Sequence, residues 1–161
     1  MKLFLRLKHW QLFIIWILSA ILSITTSESN WWIFTFAIYD FFLIGWIYSI
    51  GKVTNKLNGK CRIENYHEDL WFIICFISII PYGYFAHSNA PNNGFLMFGT
   101  FLLLSISALK LISFSAKSLM QNERKEHLKF ADYFKEFLLI AFMVIGLWKI
   151  QPKMNKIVKL Q

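Results

Sequence analysis

Four stretches of the chain stay apolar for longer than the face of a soluble domain allows: roughly Trp10 to Ile24, Trp31 to Ile50, Leu70 to Ala86 and Phe95 to Ala116. A helix that crosses a bilayer needs about 20 mostly apolar residues, with a range of roughly 17 to 25. The second, third and fourth runs meet that length. The first falls short unless it borrows Leu3 to Leu7, leaving Arg6 and Lys8 to reach the interface on their long stems. Hydrocarbon tolerates only backbone that satisfies its own hydrogen bonds, which for apolar runs of this length means helices. The expected fold is therefore all-α: a polytopic membrane helical bundle, one domain over residues 1–161, with spans at about 9–25, 31–50, 70–87 and 95–116. The amino terminus has the outline of a signal peptide, basic and then apolar up to Ser23 and Thr25. It lacks an A-x-A site, and the first run reads as a span that is retained.

With 17 Lys and Arg against 9 Asp and Glu the formal charge is +8, a balance that in a soluble protein would point to nucleic acid. Its distribution argues otherwise. Lys2, Arg6 and Lys8 precede the first run. Lys52, Lys56, Lys60 and Arg62 separate the second from the third, and Lys117, Arg124, Lys125, Lys129 and Lys135 follow the fourth. The opposite loops, "TSESN" and "HSNAPNNG", hold no Lys or Arg. Lys and Arg in short loops mark the cytoplasmic side, so the amino terminus is expected in the cytoplasm and both loops free of Lys and Arg outside. Nucleic acid is not an expected partner; anionic lipid headgroups are.

The closing segment poses a separate question. Its uninterrupted apolar core, Phe137 to Trp148, has 12 residues, about 18 Å of helix against about 30 Å of hydrocarbon. Extending it backwards draws Lys129, Asp132, Lys135 and Glu136 into lipid, at roughly 2.5–3.5 kcal/mol for each central charge on the insertion scale. A crossing would also place Lys149, Lys153, Lys156 and Lys159 on the uncharged side. The expectation is an amphipathic stretch over 122–150 that leads into a short interfacial or re-entrant helix. Pro152 ends that helix, and a basic tail over 151–161 puts the carboxyl terminus in the cytoplasm too. A tilted fifth span is the alternative.

Within the runs, Asp40 is the sharpest anomaly, a carboxylate roughly 14 Å below the outer end of its helix. Intramembrane ionisable groups mark candidate functional sites. Counting equal depth along the other helices reaches Ser19, Ser78 and Ser105, so the four could form a hydrogen-bonded polar layer. Asp40 then serves as a structural hydrogen-bonding group or as a stop on a proton or ion pathway. Lys110, deeper towards the cytoplasm, snorkels. Trp31, Trp32 and Trp71, with Tyr82, Tyr84 and Phe85, sit where headgroup anchors belong, and Pro81 predicts a kink. Gly45 with Ser49, and Ser105, Ala108, Ile112 and Ala116, form small-residue faces for close helix packing.

No catalytic, cofactor or metal signature stands out. Glu123 with His127 and Asp132 with Glu136 have metal-compatible spacing if that stretch is helical, but pairing with the interleaved lysines is the simpler reading. "RIENYH" matches the R-x4-H spacing of one class of ribonuclease domain only weakly. Cys61 and Cys75 lie at different depths, which disfavours a disulfide.

"LKHWQLF" near the amino terminus, "GWIYSIG" at the end of the second run and "DYFKEFLL…IGLWKIQPKMN" near the carboxyl terminus resemble a family of small Bacteroidota-type multi-pass integral membrane proteins with an IGxWxIQPxxN-like final motif. The resemblance implies a bacterial envelope location and transfers no catalytic residue. On physical grounds Asp132 and Glu136 open the motif and Gly146 permits close packing or a bend. Trp148 anchors at the interface, Gln151 and Asn155 cap free carbonyls beside Pro152, and Lys149 and Lys153 meet phosphates. The expected function is that of a non-enzymatic accessory, immunity-type or effector subunit, binding a protein partner or a second copy through its basic face. A small channel or proton-linked transporter built on Asp40 is the alternative.

Overall fold

The structure, a computed structural model, describes residue 5 and residues 7–25, 32–63, 67–87 and 94–159. Residues 26–31, Trp31 among them, residues 88–93, and residues 64–66 of the Arg62–His67 stretch lie outside the described residues. Among the described residues there are six α-helices and no strand. They are α1 (His9–Thr25), α2 (Trp32–Leu57), α3 (Glu68–His87), α4 (Gly94–Arg124), α5 (Phe130–Ala141) and α6 (Met143–Lys159), with a 3-10 turn at Gly59–Cys61 after α2.

Three helices are long and apolar enough to cross a membrane, over Phe34–Leu57, Glu68–Phe85 and Gly94–Arg124. The first helix does not borrow the residues before it. The Gln11 side chain accepts the Lys8 backbone N–H at 2.8 Å, capping α1 at His9 and leaving 17 residues, about 25 Å of helix. α2 and α4 instead run further than their apolar runs, from Ile50 on to Leu57 and from Ala116 on to Arg124. α3 passes through Pro81 without ending.

Neighbouring helices pack in chain order, and α4 also lies along α2. The start of α1, the end of α2, the start of α3 and the end of α4 share one end of the bundle, joined by hydrogen bonds and ion pairs. The described lysines and arginines collect towards it. Towards the other end Phe95, Leu96, Phe98, Phe101, Leu102 and Leu103 of α4 are all exposed, while the Phe101 ring also meets Tyr82 of α3 at 6.0 Å.

α4 stops because Lys125 takes a left-handed conformation, φ 57°, which a non-glycine residue rarely adopts. Glu123 and His127 therefore do not share a helical turn, and the stretch from 122 to 136 is not one amphipathic helix. After buried Leu128, α5 begins where Asp132 accepts the Lys129 backbone N–H at 2.8 Å, closing its first turn. It breaks at Phe142 (φ −88°, ψ 70°), and α6 folds back to bring Lys153 within 2.9 Å of Glu123 on α4. The last two helices thus form a hairpin along one half of the bundle.

Pro152 does not end this hairpin. It lies inside α6, which continues to Lys159, and the expected tail over 151–161 is helical through residue 159. Tertiary packing overrides the proline's cost here: Ile150, Gln151, Met154 and Val158 are all buried, so both sides of Pro152 are held against the bundle.

Candidate functional site

Around Asp40 the helices bring polar groups to one level without joining them. Tyr48 stacks on Phe72 at 4.5 Å, Phe41 meets Phe76 at 5.6 Å and Phe36 meets Tyr82 at 6.4 Å; this antiparallel register sets Asp40 opposite Ser78. Bonds from α4 to the Ile47 carbonyl and to Thr54 fix a parallel register that sets it abreast of Ser105 to Ser107. Trp16 lies 6.0 Å from Tyr39, so Ser19 falls about one turn further out.

The expected layer does not form a network. Ser19 donates to the Ile15 carbonyl at 2.7 Å and Ser78 to the Ile74 carbonyl at 2.6 Å, each turning back on its own helix, where the i−4 carbonyl is the nearest acceptor. Ser105 is only half-buried. The inward position belongs to Ser107, fully buried and bonded to the Leu103 and Leu104 carbonyls. The Cys75 thiol bonds to Ser107 and lies within electrostatic reach of Asp40. Asp40 keeps one carboxylate oxygen, Oδ2, buried with no partner.

A second polar cluster, unmarked in the sequence reading, fills the α2–α4 seam nearer the basic end. Thr54 donates to Ser118 Oγ at 2.7 Å, Ser115 to the Ile47 carbonyl at 2.7 Å and Asn58 Nδ2 to the Ser118 carbonyl at 3.1 Å. Gly51 lets the helices touch, since a Cβ there would come within 2.6 Å of the Phe114 ring. Asn58 Oδ1 and Gln121 Oε1 are buried without a donor. The available signal was spacing: Ile44, Ile47, Gly51, Thr54 and Asn58 on α2, and Ser107, Leu111, Phe114, Ser118 and Gln121 on α4, step by alternating threes and fours, the stripe of a packed helix pair.

The carboxyl-terminal hairpin is bolted to this bundle by its final motif. Gln151, fully buried, accepts Trp46 Nε1–H at 2.7 Å and donates to the Leu7 carbonyl at 2.8 Å. Asn155 sets its amide against the Leu5 and Leu7 carbonyls. One side-chain pair thereby ties α6 to α2 and to the segment before α1. Gly146 packs directly on the Leu139 carbonyl, where a Cβ would collide with the oxygen. Trp148, half exposed, leans on His9 at 4.5 Å between ring centres. Tyr133 meets Ser113 of α4 at 3.2 Å, and Glu136 is buried on the same side of α5. Lys149 is exposed.

Cavities flank the hairpin's tip on both sides. One, of about 410 Å³, lies between Trp16, Tyr39 and Leu43 of the bundle and residues 141–145 of the turn. The tip therefore reaches the level of Tyr39, next to Asp40 and roughly 10 Å along α1 from His9. The other, of about 460 Å³, runs down the outer face of α5 to Lys135. Among the described residues no three His, Cys, Asp or Glu side chains converge, and Cys61 and Cys75 are free thiols. In comparisons with known proteins the chain matches no family model, no curated protein and no solved structure.

Proposed function

We propose that this chain is a multi-pass protein of a bacterial inner membrane in which α1 to α4 cross the bilayer and the α5–α6 hairpin dips in from the cytoplasmic side and returns. On this reading it acts as a non-enzymatic accessory, immunity-type or effector subunit and offers its basic end to a protein partner. The observation that carries the reading is the Trp46–Gln151–Leu7 tie. By returning α6 to the bundle it sets exposed Lys149, Lys153 and Lys156 on the end that already carries Lys8, Lys56 and Lys125. Few acids offset them there: Asp69 pairs with Lys52, Glu123 with Lys153 and Glu126 with Arg124. A concentrated positive surface favours an acidic partner and attracts anionic headgroups.

The buried, unpartnered oxygen of Asp40 supports a second reading, a small channel or proton-linked transporter. One pair of measurements separates the two. Purification in mild detergent should recover a partner whose retention falls when Lys149, Lys153 and Lys156 are changed together to Gln, while liposomes holding the protein show no ion flux. Proton flux that disappears in Asp40→Asn would replace the first reading with the second.

A further inference from the structure

The α5–α6 hairpin presents one groove away from the bundle. Its walls are Phe134, Leu138, Leu139, Phe142 and Ile145, and Lys135 stands at its side as the one charged group lining it. Lys135 is exposed and takes part in no ion pair among the described residues. The nearby acids are turned to other tasks: Asp132 caps the Lys129 N–H, and Glu136 is buried with Tyr133 and Ile140 on the opposite side of the helix. An unpaired cation thus borders a furrow that is otherwise hydrocarbon.

The dimensions of the furrow select its occupant. From Ala131, at its open end, to Phe142, at the tip, α5 rises about 16 Å, close to half of the ~30 Å hydrocarbon thickness of a bilayer. That is the depth of one leaflet. A lipid chain lying along Phe134, Leu138 and Phe142 would bury apolar surface on both partners, and its phosphate would fall within reach of the Lys135 ammonium, whose stem carries the charge towards the interface. A headgroup with net negative charge gains from that ammonium; a zwitterionic one brings its own cation and gains less. We propose that this groove holds one anionic phospholipid, acyl chain along the outer face of α5 and phosphate at Lys135. The site rests on the reading that the hairpin enters one leaflet from the basic side.

Native mass spectrometry of the full-length protein in mild detergent tests it, with phosphatidylglycerol and phosphatidylcholine of identical chains as probes. One phosphatidylglycerol should survive activation that strips phosphatidylcholine. Lys135→Gln should weaken its retention about fivefold, the equivalent of the roughly 1 kcal/mol that one basic side chain contributes near an anionic surface. Lys135→Arg should restore it, Leu138→Trp should block it by filling the groove, and Lys56→Gln, at the basic end but outside the groove, should leave it unchanged. Equal retention of both lipids would overturn the proposal, as would equal losses in Lys135→Gln and Lys56→Gln. A dimer that Leu138→Trp splits would give the groove to a second copy instead. Lipid retention reads the groove whichever way the protein faces, so failure of the orientation shows up separately, in side-specific labelling.

Discussion

Gln151 is the residue whose removal the structure makes most costly. Its carboxamide oxygen accepts Trp46 Nε1–H and one of its two N–H groups donates to the Leu7 carbonyl, both from a fully buried side chain. Gln151→Ala leaves the Trp46 N–H buried and unpaired, at about 1–3 kcal/mol, and takes from the Leu7 carbonyl its shorter bond, leaving the Asn155 amide against it. Unfolding of the detergent-solubilised protein should show a loss of about 2–4 kcal/mol, and Trp46→Phe combined with it should cost less than the sum of the two, because they share one bond. Strict additivity would mean that the tie does not form. At this scale the sequence was legible where a residue contradicts its surroundings, as Asp40 does inside an apolar run. It was not legible where a polar residue is buried beside other polar residues. Thr54, Asn58, Ser118 and Gln121 sit in stretches that read as solvated helix ends, and only the rotation of α2 against α4, which no single run encodes, turns them inward.

Gly146 governs the element above it. Because the Leu139 carbonyl occupies the place of a Cβ, Gly146→Ala must push α5 and α6 apart and should destabilise the protein by about 1–3 kcal/mol, as overpacking does. Gly99 has no atom within 4 Å of its Cβ position, so Gly99→Ala should be neutral or stabilising. Melting temperatures of the two variants check the contrast. Helix existence was readable from apolar length. The break at Phe142 was not, since no Gly or Pro stands there and the turn comes from packing Gly146 on Leu139. Pro152 misled for a related reason. Its missing N–H costs one bond to the Trp148 carbonyl, while burial of Ile150, Gln151, Met154 and Val158 holds the helix together across it.

For the whole molecule, depth is the quantity that separates a hairpin from a fifth crossing. In a background with Cys61 and Cys75 replaced by Ser, Phe142→Cys at the tip should resist water-soluble thiol reagents from both sides of the membrane. Lys129→Cys and Lys156→Cys should both react from the cytoplasmic side only. Labelling of Lys156→Cys from the periplasm would turn the hairpin into a crossing and remove the basic face with it. The gathering of charge at one end was readable from the loops alone, because lysines and arginines recur in alternate connections. Which helices the hairpin touches was not, because it depends on α6 returning to α1.

The hairpin adds two helices to one half of the bundle, against α4 and α1, and none to the other. Among the described residues, the basic half therefore holds six helical segments and the other half four. On the proposed placement in a bilayer, copies set side by side would demand unequal area from the two leaflets, and the sheet would meet that demand by bowing around their crowded ends.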